Sequence, residues 1–262
     1  MKRALWALLL VARATAAQDF TAASPAGSTR APDGLLDRAL PAASPSFCAT
    51  VSQTRWWGLP GLETHSAALG GSFHTWRAAL GLAQTGEPEL GWTALGIGFG
   101  AATRRAGAGL RACARRDRDA PFRVVRVFTA GAGVEAGAGA WLVAADGVRV
   151  WASAPQVWAS GAAPPLARPL ELGVRAGERN AAWVRLVAPR AGDDGERALG
   201  LSLAVAPMQA WAEVRDAPLR GSVGLSAAIA SLRVDARVDA HPVLGETVRI
   251  ALAWLREQRS AP

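Results

Sequence analysis

From Thr75 onward the chain repeats one device: runs of about nine to twelve residues in which an apolar face alternates with a small or charged one, the length and period of a tilted membrane-spanning strand. Leu95, Ile97 and Phe99 alternate with Gly96, Gly98 and Gly100. Leu199, Leu201, Leu203 and Val205 alternate with Gly200, Ser202 and Ala204, and Val223, Leu225, Ala227 and Ile229 with Ser222, Gly224, Ser226 and Ala228. The sharpest run sets Leu232, Val234, Ala236 and Val238 against Arg233, Asp235, Arg237 and Asp239. Val248, Ile250, Leu252 and Trp254 then alternate with Thr247, Arg249, Ala251 and Ala253. A helix, with its period of 3.6, would smear such faces together.

Weaker runs fill the intervals: Ser66 to Phe73, Trp76 to Ala83, Arg105 to Arg115, Arg123 to Ala130, Val134 to Val143, Val148 to Ser153, Leu170 to Ala176, Ala182 to Ala188 and Met208 to Arg215. Between them lie short turn signals such as Asp146-Gly147, Gly177-Glu178-Arg179-Asn180 and Gly192-Asp193-Asp194-Gly195. The pattern predicts an all-β protein of about twelve to fourteen antiparallel strands in an up-and-down meander, an order that can close and leave no edge. No shift in composition divides the chain after residue 55, so one barrel over 55–256 is expected, with a tail at 257–262.

Two architectures use this alternation. In a soluble sandwich the apolar face is the core, whereas in a membrane barrel it meets lipid and the other face lines the lumen. Three features favour the transmembrane barrel: long, numerous strands with few long crossovers, a non-apolar face rich in Gly, Ala and Ser, and tryptophans near strand ends, as at Trp92, Trp141, Trp158 and Trp254. The lipid-facing candidates are Leu95, Ile97, Phe99, Leu199, Leu201, Leu203, Val223, Leu225, Val234, Val248, Ile250 and Leu252; the lumen-facing candidates are Arg233, Asp235, Arg237, Asp239 and Arg249. The charged ladder on 233–239 reads as a lumen ion-pair network, or as a solvated sheet face if the sandwich holds. The glycines within 96–100 and 131–139 alternate inside strands with no following helix, so they serve crowding or strand bending rather than phosphate binding.

At the N-terminus Lys2 and Arg3 precede an apolar run, Ala4 to Val11, and the small-residue sequence Ala14-Thr15-Ala16. That order is a secretory signal peptide over 1–17, too short in its apolar part to span a bilayer. Residues 18–54, rich in Ser, Ala and Pro, are expected to be a flexible lead-in. Cys48 and Cys113 are too few and too far apart in sequence for a disulfide framework, and independent thiols are expected.

The formal charge is +8 and the sequence pI about 11.2. A nucleic-acid partner does not follow, because the arginines are spread along strands and are not gathered into one patch. The chain has no G-x-S-x-G, H-E-x-x-H, Walker loop or C-x-x-C pair, and His65, His74 and His241 are far apart. No enzyme activity, cofactor or metal site is expected.

With that pattern in hand, the order of features resembles the PorV/PorQ-type outer-membrane proteins, themselves similar to FadL-like barrels of fourteen strands. Trp57-Gly58-Leu59-Pro60-Gly61-Leu62 stands where that group has an Asn-Pro-Ala-Gly-Leu motif. Gly133-Val134-Glu135-Ala136-Gly137-Ala138, Val148-Arg149-Val150-Trp151-Ala152, Pro169-Leu170-Glu171-Leu172-Gly173-Val174 and the close from Leu232 to Ile250 continue the likeness. The motif lacks its Asn, Tyr is absent, and the chain runs past Trp254, where such barrels end on an aromatic. The resemblance implies the bacterial outer membrane, insertion by barrel-assembly machinery that reads the last strand, and secretion-system partners. Together the readings give a channel or membrane scaffold in envelope transport or secretion, in contact with outer-membrane lipid. The alternatives are a non-transporting structural barrel and a secreted soluble β-sandwich for binding or adhesion.

Overall fold

The computed structural model describes residues 34–43, 46–59, 61–86, 91–118, 132–161, 170–178, 180–188, 195–216 and 219–257. The signal-peptide region and the Arg123–Ala130 run lie outside these. A short helix, α1 (Gly34–Arg38), precedes fourteen strands: β1 (Ser46–Arg55), β2 (Glu63–Phe73), β3 (Trp76–Gly86), β4 (Gly91–Ala102), β5 (Ala106–Arg118), β6 (Ala132–Ala145), β7 (Val148–Gly161), β8 (Glu171–Ala176), β9 (Ala181–Val187), β10 (Glu196–Val205), β11 (Met208–Asp216), β12 (Leu219–Ile229), β13 (Leu232–His241) and β14 (Gly245–Glu257).

Each strand pairs antiparallel with its sequence neighbours, and β1 pairs with β14, from Ser46 opposite Glu257 to Arg55 opposite Val248. The result is a closed, up-and-down antiparallel barrel with no free edge. A sandwich of two sheets is excluded, since all the strands belong to one continuous sheet. The ends of the barrel differ. At the end that holds Ser46 and Glu257 the connections are tight, at 74–75, 146–147, 206–207 and 230–231 among others. At the opposite end the connections include 56–62, 119–131 and 162–170.

Burial alternates with the strand period, and its sense is the reverse of a water-soluble protein's. β3 reads outward at Trp76, Ala78, Leu80 and Leu82 and inward at Arg77, Ala79, Gly81 and Ala83. All twelve residues expected on the apolar outer face are exposed there, with Leu201 at 60% and Leu95 at 49%. The inner face holds Arg77, Arg111, Arg175, Glu213, Asp235 and Arg249, each buried. Large aliphatic side chains outside and charges inside cannot be a hydrophobic core turned to water; they are a barrel whose interior is polar.

Three sequence expectations need correction. The barrel begins at Ser46, not at residue 55, because β1 lies inside the supposed lead-in and closes the sheet against β14. The outer face of β1 carries Phe47, Ala49 and Val51 but turns polar at Gln53 and Arg55, so its alternation is hard to read. Residues 34–43 are ordered inside the barrel: Leu35, Leu36, Ala39, Leu40 and Ala42 are all at most 2% exposed. Trp92 and Trp141 point inward and are buried, whereas Trp158 and Trp254 do point outward.

Candidate functional site: the barrel interior

The interior has two halves, and the first is filled by the chain's own N-terminal segment. α1 and the residues that follow lie against β3 to β7. Inward glycines on these strands supply the space, since a Cβ on Gly98 would sit 2.7 Å from that of Leu35, one on Gly109 2.6 Å from the Ala39 carbonyl oxygen, and one on Gly139 2.5 Å from the Arg38 carbonyl oxygen. Real Cβ atoms do not approach backbone so closely, so the alternating glycines that read as relief of crowding are a bed moulded to one segment.

The segment's backbone carbonyls, which would otherwise be buried without partners, are met by side chains from the wall. Arg77 donates from Nε to Ala42 O at 2.9 Å, Trp141 from Nε1 to Pro41 O at 2.9 Å, and Ser153 from Oγ to Arg38 O at 2.6 Å. Arg77 also donates to the carbonyls of His74 and Trp76 at 2.7 and 2.9 Å, tying the plug to the β2–β3 turn. A guanidinium has five donors in a planar fork and stays charged, which suits it to clasping several carbonyls at once.

The second half, along β8 to β13, is an ion-pair network. Arg185 reaches Glu171 at 3.3 Å and Glu196 and Glu213 at 3.0 Å each. Glu213 accepts from Arg215 at 2.9 Å and from the indole N–H of Trp183 at 2.9 Å. Arg215 lies 3.4 Å from Asp239, which accepts from Arg237 at 2.7 Å, and Glu196 also accepts from Arg220. Glu171 accepts from Trp151 Nε1 at 2.9 Å and lies 3.5 Å from Arg38, so the network joins the plug to the far wall. With Arg185→Met three carboxylates would be left crowded and without their shared cation. Breaking one partner of a buried ionic cluster typically costs about 3 to 5 kcal/mol. The expected result is a marked fall in the temperature at which the folded barrel loses its gel mobility.

Arginines also stack on inward tryptophans. The guanidinium carbon lies 4.8 Å from the ring centroid for Arg115 over Trp92, 4.7 Å for Arg149 over Trp141, 5.2 Å for Arg175 over Trp183 and 5.1 Å for Arg237 over Trp211. Such contacts are worth about 0.5 to 2 kcal/mol and hold a cation where desolvation would otherwise expel it. Each of four inward rings lies across from a glycine on an adjacent strand: Trp151 opposite Gly173, Trp183 opposite Gly200, Trp211 opposite Gly224, and Trp141 opposite Gly107. A Cβ on any of these glycines would collide with the indole. Gly200→Ala should therefore displace Trp183 and its bond to Glu213. That overpacking costs about 1 to 3 kcal/mol, against a much smaller effect for Gly221→Ala, where a Cβ meets open space.

The five lumen-facing candidates all lie on the inner face of β13 and β14. Arg233 bonds Asp235 at 2.8 Å, Asp235 also accepts from Ser226 at 2.5 Å, and Arg249 donates to Thr54 at 2.8 Å. Of the five, Arg237 and Asp239 belong to the larger network. The sequence reading missed Arg185, Glu171, Glu196 and Glu213: Glu196 stands ahead of the apolar run that marks β10, and the other three sit in strands where few large apolar residues mark the alternation. Among the described inward strand positions Arg77, Arg111, Arg115, Arg149, Arg175, Arg185, Arg215, Arg220, Arg233, Arg237 and Arg249 face Glu135, Glu171, Glu196, Glu213, Asp235 and Asp239. Eleven cations against six anions make the described side chains of the interior wall net positive.

Cys48 and Cys113 are both buried thiols and form no disulfide with each other. His65 is exposed on β2, His74 lies in the β2–β3 turn, and His241, at the end of β13, accepts from Val243 N and Leu244 N through Nδ1, so the three do not converge. No group of metal-ligating side chains occurs among the described residues.

This architecture defines a β-barrel of the inside-out kind, apolar outside and charged within. No protein-family model and no curated protein matches the chain. Among solved structures it is similar to engineered variants of the porin of Rhodopseudomonas blastica. One such mutant is 10% identical with a TM-score of 0.44, over 81% of this chain and 99% of that one. Another, a triple mutant, is 11% identical with a TM-score of 0.42 over the same shares. The strand pairing, not this distant likeness, establishes the barrel.

Proposed function

We propose that this protein is a channel of the bacterial outer membrane, exported by its N-terminal signal and narrowed from within by residues 34–43. The observation that carries the reading is the inverted burial: a band of exposed aliphatic side chains runs round a closed sheet whose inner face is charged. An exposed apolar surface that encircles the whole molecule has no stable home in water, and a closed barrel is one of two backbone arrangements that satisfy their hydrogen bonds within a bilayer. Outward Trp158 and Trp254, near the ends of their strands, suit the headgroup level. By the usual disposition of such barrels the tight-turn end faces the periplasm and the longer connections face outward. Barrel-assembly machinery, which would read β14, and secretion-system components, by the PorV-like resemblance, are the partners that follow from this reading.

Single-channel recording in planar bilayers tests it. The purified, heat-modifiable barrel should give discrete conductance steps, small because the plug and the ion-pair network share the lumen. A correctly folded barrel that never conducts would leave the scaffold reading in its place.

A further inference from the structure

The outer wall is not evenly filled. On β10 to β13 it holds an apolar trough of about 480 Å³, where Ala210, Ala212 and Ala236 stand among leucines and valines. The register shows that this trough runs across the strands. Its sides are two rows of outward residues paired from strand to strand: Ala212, Val223 and Val238 on one side, and Ala210, Leu225 and Ala236 on the other.

Both rows continue past the trough. Val238 pairs with Val248, which pairs with Arg55; Ala236 pairs with Ile250, which pairs with Gln53. The furrow between them therefore leads over β14 to β1, where the outer face turns from aliphatic to polar. It also climbs the wall. Followed the other way, the first row passes from Ala212 through Leu201 to Ala182, at the start of β9 and the tight-turn end, whereas Arg55 closes β1 at the opposite end. Strands of closed barrels tilt by about 35 to 45°, so a row perpendicular to them rises from the membrane plane at a similar angle. The four strand spacings from β11 to β1 come to about 19 Å and rise by about 11 to 13 Å, close to the ~15 Å of hydrocarbon in one leaflet.

At the end of the furrow three polar side chains gather round one carboxylate. Glu63 accepts from Gln53 Nε2 at 2.7 Å and from Arg55 Nε at 3.0 Å, with Arg55 Nη2 at 3.0 Å and His65 Nε2 at 3.9 Å. The Arg55 side chain is 59% exposed, and a guanidinium that meets Glu63 through Nε and Nη2 has further N–H groups to offer outward. The charges of Arg55 and Glu63 cancel, which suits a zwitterion better than a net anion.

We infer that the furrow is a lipid site, in which one acyl chain of a phosphatidylethanolamine lies along the trough and the headgroup meets β1 and β2. The phosphate would bind the Arg55 guanidinium and the ammonium the Glu63 carboxylate, each as a charge-assisted hydrogen bond. The inference rests on the membrane reading and adds to it a particular lipid at a particular place.

Native mass spectrometry of the full chain in detergent, titrated with dipalmitoyl phosphatidylethanolamine, tests it. The wild type should retain one lipid, and dipalmitoyl phosphatidylglycerol should bind several-fold more weakly. Ala212→Phe/Ala236→Phe fills the trough and Arg55→Gln alters only its polar end; each should weaken retention several-fold. Ala78→Phe, on the outer face of β3, should leave it unchanged. Heat-modifiable mobility identifies the folded protein in each case. A folded wild type that retains no lipid, equal binding of the two headgroups, or retention untouched by Ala212→Phe/Ala236→Phe would overturn the lipid site and leave the membrane reading standing. So would a two-chain mass that Ala212→Phe/Ala236→Phe abolishes, since a second copy would then occupy the trough. A chain that stays in solution without detergent would overturn the membrane reading, and the lipid site with it.

Discussion

Leu201→Arg should abolish assembly into the membrane, and Leu225→Arg should do the same. Both side chains point outward from the middle of their strands, with Leu201 on β10 at 60% and Leu225 on β12 at 43% exposure. A cation there must sit in hydrocarbon, at a cost of about 2 to 4 kcal/mol at the bilayer midplane, which is a large part of a typical net folding stability. The neighbouring inward position provides the contrast. Ser226 is half-buried beside Asp235, with 2.5 Å between their side-chain oxygens, so Ser226→Arg would place its charge next to a carboxylate. Ser202 is a poorer site for the same comparison, because it is packed within hydrogen-bond reach of Arg175 at 3.5 Å. Membrane-inserted yield of Leu201→Arg and Leu225→Arg should therefore drop far below that of Ser226→Arg. Equal yields at the two faces would contradict the orientation.

Removal of residues 34–43 should raise single-channel conductance several-fold while the barrel stays heat-modifiable. The segment fills one side of the lumen but contributes no strand, so the sheet from Ser46 to Glu257 closes without it. Gly139→Val offers the same test by substitution, since its Cβ would lie 2.5 Å from the Arg38 carbonyl oxygen and 3.1 Å from that of Ala39. Backbone at that distance cannot yield as a flexible side chain can, so the segment must leave its bed. Protease sensitivity of the N-terminal segment should rise in Gly139→Val, and its conductance should approach that of the deletion. An unaltered conductance in both would mean that the segment does not obstruct the path.

The outer face is legible in the sequence because its chemistry is written in period two. Leucine at 199, 201 and 203 or valine and leucine at 223 and 225 leave one orientation for each strand, and a shift by one residue would turn every side chain over. The inner face is legible only where charge alternates as strictly, as in Arg233, Asp235, Arg237 and Asp239. The rest depends on which strands become neighbours on closure. Trp183 and Gly200 are separated by a turn in sequence, and nothing local announces that one makes room for the other. Arg185 meets three carboxylates from β8, β10 and β11 that no spacing rule connects. Places near strand ends suggest a girdle for Trp92 and Trp141, but the parity of β4 and β6 turns both rings inward. The plug is hidden for another reason: a segment held by its own carbonyls leaves its signature in the glycines and donors of the wall, far along the chain.

The claim on which all of this depends is that the exposed aliphatic band meets hydrocarbon. The direct measurement is fractionation of cells that express the full chain, followed by gel mobility of the membrane fraction with and without boiling. The protein should sediment with the outer membrane, require detergent for extraction, and migrate faster unboiled than boiled. Recovery as a soluble protein without detergent, with one mobility under both conditions, would contradict it.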